Sequence, residues 1–205
     1  METRIMVLYY SMYGNTYRMA REIFSGIEDE GCIPMIRRVP EILPPGVIAS
    51  DGRIGKAMKD QEAVPVASPG ELEKIDGLVV GSPTRFGNMS SQMRNFWDTT
   101  GGLWTRGVLV DKPAAVFCCT GTMHGGQEST LLSMMLTLIH HGMIIVGVPF
   151  SVRELAETVS GGTPYGPTAV VGPDSSRQPL ETDLTIAREL GKRIAVISRK
   201  LKSGR

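Results

Sequence analysis

The chain has 205 residues, within reach of one large α/β domain, and a chain of that size buries roughly 70% of its unfolded surface without a staple. Lys+Arg 22 against Asp+Glu 21 leaves a formal net charge of +1, which argues against a nucleic-acid or membrane-surface protein held by bulk charge. The three cysteines, Cys32, Cys118 and Cys119, include an adjacent pair in an apolar run, so reduced thiols are expected rather than a disulfide framework.

In chain order, "RIMVLYY" (4–10) reads as a strand. "TYRMAREIFSGIEDEG" (16–31) puts Met19, Ala20, Ile23, Phe24 and Ile27 on one helical face, with Gly31 as the stop. "IPMIRRV" (33–39) and "DGLVVGSP" (76–83) are the second and third strands. "SSQMRNFWDTTGG" (90–102) is a short helix with Ser90 as its cap, and "PAAVFCCT" (113–120) is the fourth strand. "QESTLLSMMLTLIHHG" (127–142) is a helix and "MIIVGVP" (143–149) a fifth strand. "PLETDLTIARELGKRIAVISRKLK" (179–202) closes the pattern as an amphipathic helix. Pro179 suits its first turn, and Glu181 and Asp183 complement its dipole.

Apolar strand runs alternating with helices imply a parallel sheet covered on both faces. Residues 40–70 and 150–178 carry much of the Pro and Gly and break the alternation. They are expected to be surface insertions in a single domain spanning 1–205, and such long loops often serve as lids or interface arms. No N-terminal signal is visible, and no apolar stretch reaches the roughly 20 residues of a membrane span. The longest, Leu131–Val148, is broken by His140, His141 and Gly142. A soluble cytoplasmic protein is expected.

The junction "YYSMYGNT" (9–16) has a composition suited to holding an anion. A parallel strand followed by a tight turn aims the next helix's N-terminus at the sheet edge where open α/β sheets bind ligands. Gly14 permits close backbone approach, and Ser11 and Thr16 supply hydroxyl donors. There is no GxxxxGK[ST] and no GxGxxG, so neither a P-loop nor a dinucleotide fingerprint is present. An ordinary turn has the same residue types. A helix N-terminus contributes about 0.3–1 kcal/mol to an anion. Micromolar binding needs about 8 kcal/mol, so other loops must grip the ligand's body.

Two loops leave strands on the same edge. After the third strand, Thr84 and Arg85 offer polar contacts and Phe86 a flat apolar face. After the fourth, "CCTGTMHGGQE" (118–128) offers backbone N–H groups with little bulk. Each could be a plain connection; together they describe a mononucleotide site, one loop for phosphate and two for a flat heterocycle.

"YYSMYGNT", "PTRFGNMSSQMRNFWDTTGGLW", "TGTMHGGQE", "HHGM" and "GGTPYG", in this order, resemble the flavodoxin-like NAD(P)H:quinone oxidoreductases of the tryptophan-repressor-binding-protein (WrbA) type. The resemblance runs from about residue 4 to the last helix. It implies a flavodoxin-like doubly wound parallel sheet of five strands in the order 2-1-3-4-5. It also implies bound FMN, two-electron reduction of quinones by NADH or NADPH, and a homotetramer whose sites are completed across subunits. By the same resemblance Ser11, Met12, Tyr13, Gly14, Asn15 and Thr16 form the phosphate loop, with Tyr13 also contacting the nicotinamide nucleotide. Thr84, Arg85 and Phe86 match the ring-binding loop, and Cys119, Thr120, Gly121, Thr122, Met123 and His124 the third FMN segment. His140 matches a further FMN contact and Trp104 a position beside the substrate. Family members often have Ser where Cys118 and Cys119 stand, and smaller residues where Met123 and His124 stand.

No triad or indispensable acid or base is expected, because a flavin carries such chemistry itself. The histidines have no metal-ligand spacing. His140 and His141 diverge by about 100° on a helix, so His141 is expected to be structural. Cys119 is read as a buried, inert thiol, and Trp104 as pocket wall or packing residue. Arg85 could instead cap a helix or pair with Asp98. The helix over 131–139 is apolar nearly all round, which fits burial by sheet plus a partner subunit, or a plain core helix. The basic tail "SRKLKSGR" reads as a solvated helix end. The alternative function is a one-electron carrier, although such carriers are typically shorter and strongly acidic.

Overall fold

The structure is a computed structural model and describes residues 2–204. Its centre is a parallel sheet in the order β2-β1-β3-β4-β5, with a sixth strand also on β4. The strands are β1 (Arg4–Tyr9), β2 (Ile33–Arg38), β3 (Gly77–Pro83), β4 (Pro113–Thr120), β5 (Ile144–Ile145) and β6 (Thr168–Val170). The period of two in β1 sorts its side chains cleanly. Ile5, Val7 and Tyr9 enter one core, and Met6 and Leu8 the other, joined there by Tyr10 just past the strand.

The sequence predicts one fifth strand over 143–149; the chain instead fills that lane in two pieces. β5 pairs with Pro113 and Ala114 at the start of β4, and β6 pairs with Cys118–Thr120 at its end. Between them the turn at 163–166 is pressed onto β4. A Cβ on Gly166 would lie 2.0 Å from the Val116 carbonyl oxygen, and one on Gly147 2.3 Å from that of Pro164. The ladder gives way to this close backbone packing, and six strands result where five are expected.

The expected insertions are also more ordered than their Pro and Gly content predicts. The first holds α2 (Pro45–Ser50) and α3 (Gly52–Asp60), then pairs Val66 with Arg38 beside β2. A 3₁₀ turn at Pro69–Lys74 follows, closed by the Glu71 carboxylate on the Ser68 N–H. The second holds α7 (Arg153–Glu157) and β6.

One face of the sheet carries α1 (Asn15–Asp29) and α8 (Glu181–Ser203). These two helices meet through glycines. A Cβ on Gly26 would lie 2.1 Å from the Arg188 carbonyl oxygen, and one on Gly191 2.2 Å from that of Ile23. Pro179 precedes α8 rather than sitting in its first turn, and Asp183 accepts the Leu180 N–H at 3.0 Å.

The other face carries α4 (Ser91–Asp98), α5 (Gly101–Thr105) and α6 (Gln127–His140). Ser90 caps α4 as expected, accepting the Met93 N–H. The single helix predicted over 90–102 breaks at Thr99 and Thr100, whose hydroxyls each donate at 2.6 Å to the carbonyls of Phe96 and Trp97. No helix among the described residues is long and apolar enough to cross a membrane.

Candidate functional site

β1, β3 and β4 end side by side, so the three loops that follow them converge at one sheet edge. They converge on a cavity of about 50 Å³. Ser11, Met12, Tyr13, Asn15 and Thr16 line it from the first loop. Thr84 and Arg85 enter from the second, and Cys119, Thr120 and Gly121 from the third.

The first loop ends at Gly14, whose φ of 90° turns the chain into α1 with no side-chain cap and no acidic residue in the first turn. Among the described residues, no backbone N–H of 12–17 donates to another group of the chain, and the first helical bond runs from Arg18 to the Gly14 carbonyl. The buried Ser11 hydroxyl likewise has no partner. A buried hydroxyl without a partner is unfavourable, as are uncapped helix N–H groups with nothing to meet. Together they fit a phosphate, which accepts from all of them.

The second loop is held by Thr84, whose N–H bonds to the Cys119 carbonyl and whose hydroxyl accepts from Thr130 at 2.8 Å. Arg85 donates to the Thr84 carbonyl and lies on the Met12 sulfur at 3.1 Å. It therefore bridges two loops instead of capping a helix or pairing with Asp98. Phe86 has a φ of 53° and its ring is fully exposed. A left-handed aromatic residue is strained by about 1–3 kcal/mol, and such strain concentrates at functional sites. Ser175, on the cavity wall, has a φ of 59°.

The third loop packs backbone to backbone against the second: a Cβ on Gly126 would lie 2.9 Å from Gly87 Cα. Thr120 donates to the Thr122 carbonyl, and Gln127 to that of Met123, which fixes the loop's shape. The N–H groups of 121–124 make no hydrogen bond among the described residues, and Thr122, Met123 and His124 are exposed on the rim outside the cavity. Burial pushes the Cys119 thiol up to about 12 and Cys118 up as well, so both stay protonated and non-nucleophilic at neutral pH.

His140 and Trp104 are not brought to this cavity within one chain. They line a separate groove with Trp97 and Leu136, where the Trp104 indole donates to the His140 carbonyl at 2.7 Å. His141 turns inward, buried, with its Nε2 3.1 Å from the Thr100 hydroxyl.

Sequence reasoning missed the residues that the insertions supply. Gln61, buried, donates to the Ser11 carbonyl at 3.2 Å and to that of Ala57 at 2.7 Å, tying α3 to the first loop. The Ser175 carbonyl accepts from Asn15 at 3.0 Å. Arg53 lies over the Tyr13 ring at 5.0 Å and donates to the Asp174 carbonyl. Only the length of the two insertions hinted at such roles.

Comparison with known proteins gives the same direction. The model of the NADPH-dependent FMN reductase family matches residues 3–157. A protein of Chromohalobacter salexigens named NAD(P)H dehydrogenase (quinone) is 48% identical over 97% of this chain and 98% of its own. A protein of the same name from Solidesulfovibrio magneticus is 46% identical over 97% and 99%. Among solved structures, a WrbA-like flavodoxin from Agrobacterium tumefaciens superposes with a TM-score of 0.65 at 22% identity, covering 97% of this chain and 99% of that one. An archaeal flavodoxin does so at 0.62 and 20%, covering 96% and 99%. At those identities the structural likeness speaks for the flavodoxin-like fold alone.

Proposed function

We propose that this chain, which belongs to the NADPH-dependent FMN reductase family, is an FMN-dependent NAD(P)H:quinone oxidoreductase that reduces quinones by two electrons at the expense of NADH or NADPH. The observation that carries the site is the unpartnered, buried Ser11 hydroxyl set among the uncapped N–H groups of 12–17. FMN, when bound, supplies a two-electron acceptor and donor that no side chain here provides.

The chain's part is to bind and orient. Ser11, Thr16 and the first-loop N–H groups hold the phosphate. Thr84, Arg85, Phe86 and the N–H groups of 121–124 hold the ring and its polar edge. Cys119 contributes a backbone position and apolar bulk, since its thiol stays protonated. Both substrates are flat and use one exposed ring face beside Tyr13 and Phe86, so they alternate there.

The functional unit is a homotetramer. Leu132, Leu136 and Ile139 of α6 are exposed, Leu136 in one groove with Trp104, and His140 and Trp104 stand apart from the cavity of their own chain. Both facts support completion of the site by a neighbouring copy.

The test is reconstitution with FMN followed by NAD(P)H oxidation with and without benzoquinone. Quinone-dependent turnover with parallel double-reciprocal lines is expected. FMN-loaded protein with no quinone-dependent turnover would refute the assignment, and intersecting lines would refute the shared face.

A further inference from the structure

A second cavity, a groove of about 550 Å³, opens beside the first, and Tyr13, Asn15 and Ser175 line both. Such a volume is that of a small-molecule site. Its walls come from α1, which carries Arg18 and Arg21, and from α3, which carries Arg53 and Lys56. Asp60 and Asp174 are the carboxylates on the same walls. In a chain of net charge +1 this is a local concentration of positive charge.

The four cations are not equivalent. Arg53 is committed: Asp51 holds its guanidinium at 2.7 Å, the Asp174 carbonyl accepts from it, and it stacks on Tyr13. That arrangement makes a fixed, flat wall rather than a free charge. Arg18 bonds to the neutral Gln178, so its charge is not neutralised. Arg21 and Lys56 make no hydrogen bond or ion pair among the described residues. Three cations without an ion pair, from two elements, thus line one groove and outnumber its two carboxylates, next to a stacked guanidinium–phenol wall on which a purine can lie.

We infer that this groove takes the 2′-phosphorylated adenosine end of NADPH, and that the chain therefore prefers NADPH to NADH. The inference rests on the reductase reading, because a nicotinamide nucleotide must bind beside the flavin cavity for the groove to matter. The two coenzymes differ only in the 2′-phosphate, a group of about −1.5 to −2 charge with three acceptor oxygens. Arg18, Arg21 and Lys56 discriminate by charge, and Tyr13 with Arg53 receives the part common to both.

Two measurements on the FMN-loaded protein test this. Calorimetric titration compares adenosine 2′,5′-bisphosphate, adenosine 5′-monophosphate and inorganic phosphate. The bisphosphate should bind at least about tenfold tighter than either, and its advantage should fall with added salt. Equal binding of bisphosphate and monophosphate, binding of inorganic phosphate as tight as the bisphosphate, or release of FMN on adding the bisphosphate would each overturn the inference. The second measurement is the ratio of kcat/KM for NADPH to that for NADH with benzoquinone. It should exceed about 10 and drop by about tenfold in Arg21→Ala/Lys56→Ala, while Lys56→Arg keeps it. Turnover with both coenzymes at a ratio near unity refutes the groove but not the reductase. Bisphosphate binding without quinone turnover refutes the reductase but not the groove.

Discussion

The two faces of the sheet are finished differently. The α1–α8 face is closed: the helices interlock at Gly26 and Gly191, and their outer surface is charged, with Arg188 tied to Asp29 at 2.8 Å and to Glu22 at 3.4 Å. The α6 face is open: Leu136 is 62% exposed, Ile139 55% and Trp104 56%. A helix with a charged outer side ends the molecule, whereas one that stays apolar on its outer side awaits a further layer. The cavity beside the first loop sits at the edge both faces share, next to one closed face and one that leaves apolar side chains exposed.

The sharpest way to break the closed face is Gly191→Ala. The added Cβ meets a backbone carbonyl at 2.2 Å, and a helix pair cannot absorb that by rotating a side chain. We expect a loss of about 3 kcal/mol, the upper part of the overpacking range. For a chain of this length that lowers Tm by about 6–12 °C in a thermal scan. A Tm within about 2 °C of the parent would mean that the helices are not interlocked.

The open face is broken by Leu136→Asp. In the proposed tetramer this carboxylate would be buried without a partner, and the expected result is dissociation, read as a roughly two- to fourfold fall in light-scattering mass. FMN should still bind the separated chains, because the cavity is built within one copy. Quinone turnover should fall if, as proposed, Trp104 and His140 complete a neighbour's site. An unchanged mass would show that the exposed leucines face only water.

The difference between the faces also explains what could be read from the sequence. The alternation of β1 and the spacing of Met19, Ala20, Ile23 and Ile27 in α1 announce their own burial, because periodicity reports local geometry. The turn from β1 into α1 was visible for the same reason, as a strand, a glycine and a helix start close together. The split of the fifth strand was not, because it depends on Gly166 meeting Val116, a contact set by tertiary packing. Gln61 and Ser175 were invisible because each acts on a loop distant in sequence. His140 and Trp104 were identified by family likeness alone, and the single chain holds them in their own groove, away from the cavity.

At the shared edge, Ser11→Ala separates function from folding. The hydroxyl is buried and unpartnered, so the FMN-free chain should be no less stable without it, by denaturant midpoint. FMN loses one charge-assisted donor, about 1.5 kcal/mol, which is about tenfold in Kd by fluorescence titration. A loss of stability with unchanged FMN affinity would assign Ser11 to the fold instead of the cofactor.

The smallest effect lies under the open face, at His141. The Thr100 hydroxyl already donates to the Trp97 carbonyl, so it accepts from His141, which fixes the proton on Nε2 and leaves buried Nδ1 with no partner. Burial, with a contribution from His140, lowers the His141 pKa, because the imidazolium would be desolvated and its second N–H would find no acceptor. The sign follows directly. Below about 6.5 the unfolded chain takes up this proton and the folded chain does not, so stability falls as pH drops from 6.5 toward the lower folded value. Above 6.5 both states are neutral and the contribution vanishes. Asp183, buried and shifted upward by desolvation, titrates in the opposite sense, so the raw pH profile mixes the two. The difference between the parent and His141→Gln isolates the histidine, since Gln retains a donor for Thr100 and cannot titrate. Urea midpoints at pH 7.5 and 5.5 should converge for the variant relative to the parent, and parallel shifts in both proteins would place the imidazole in water.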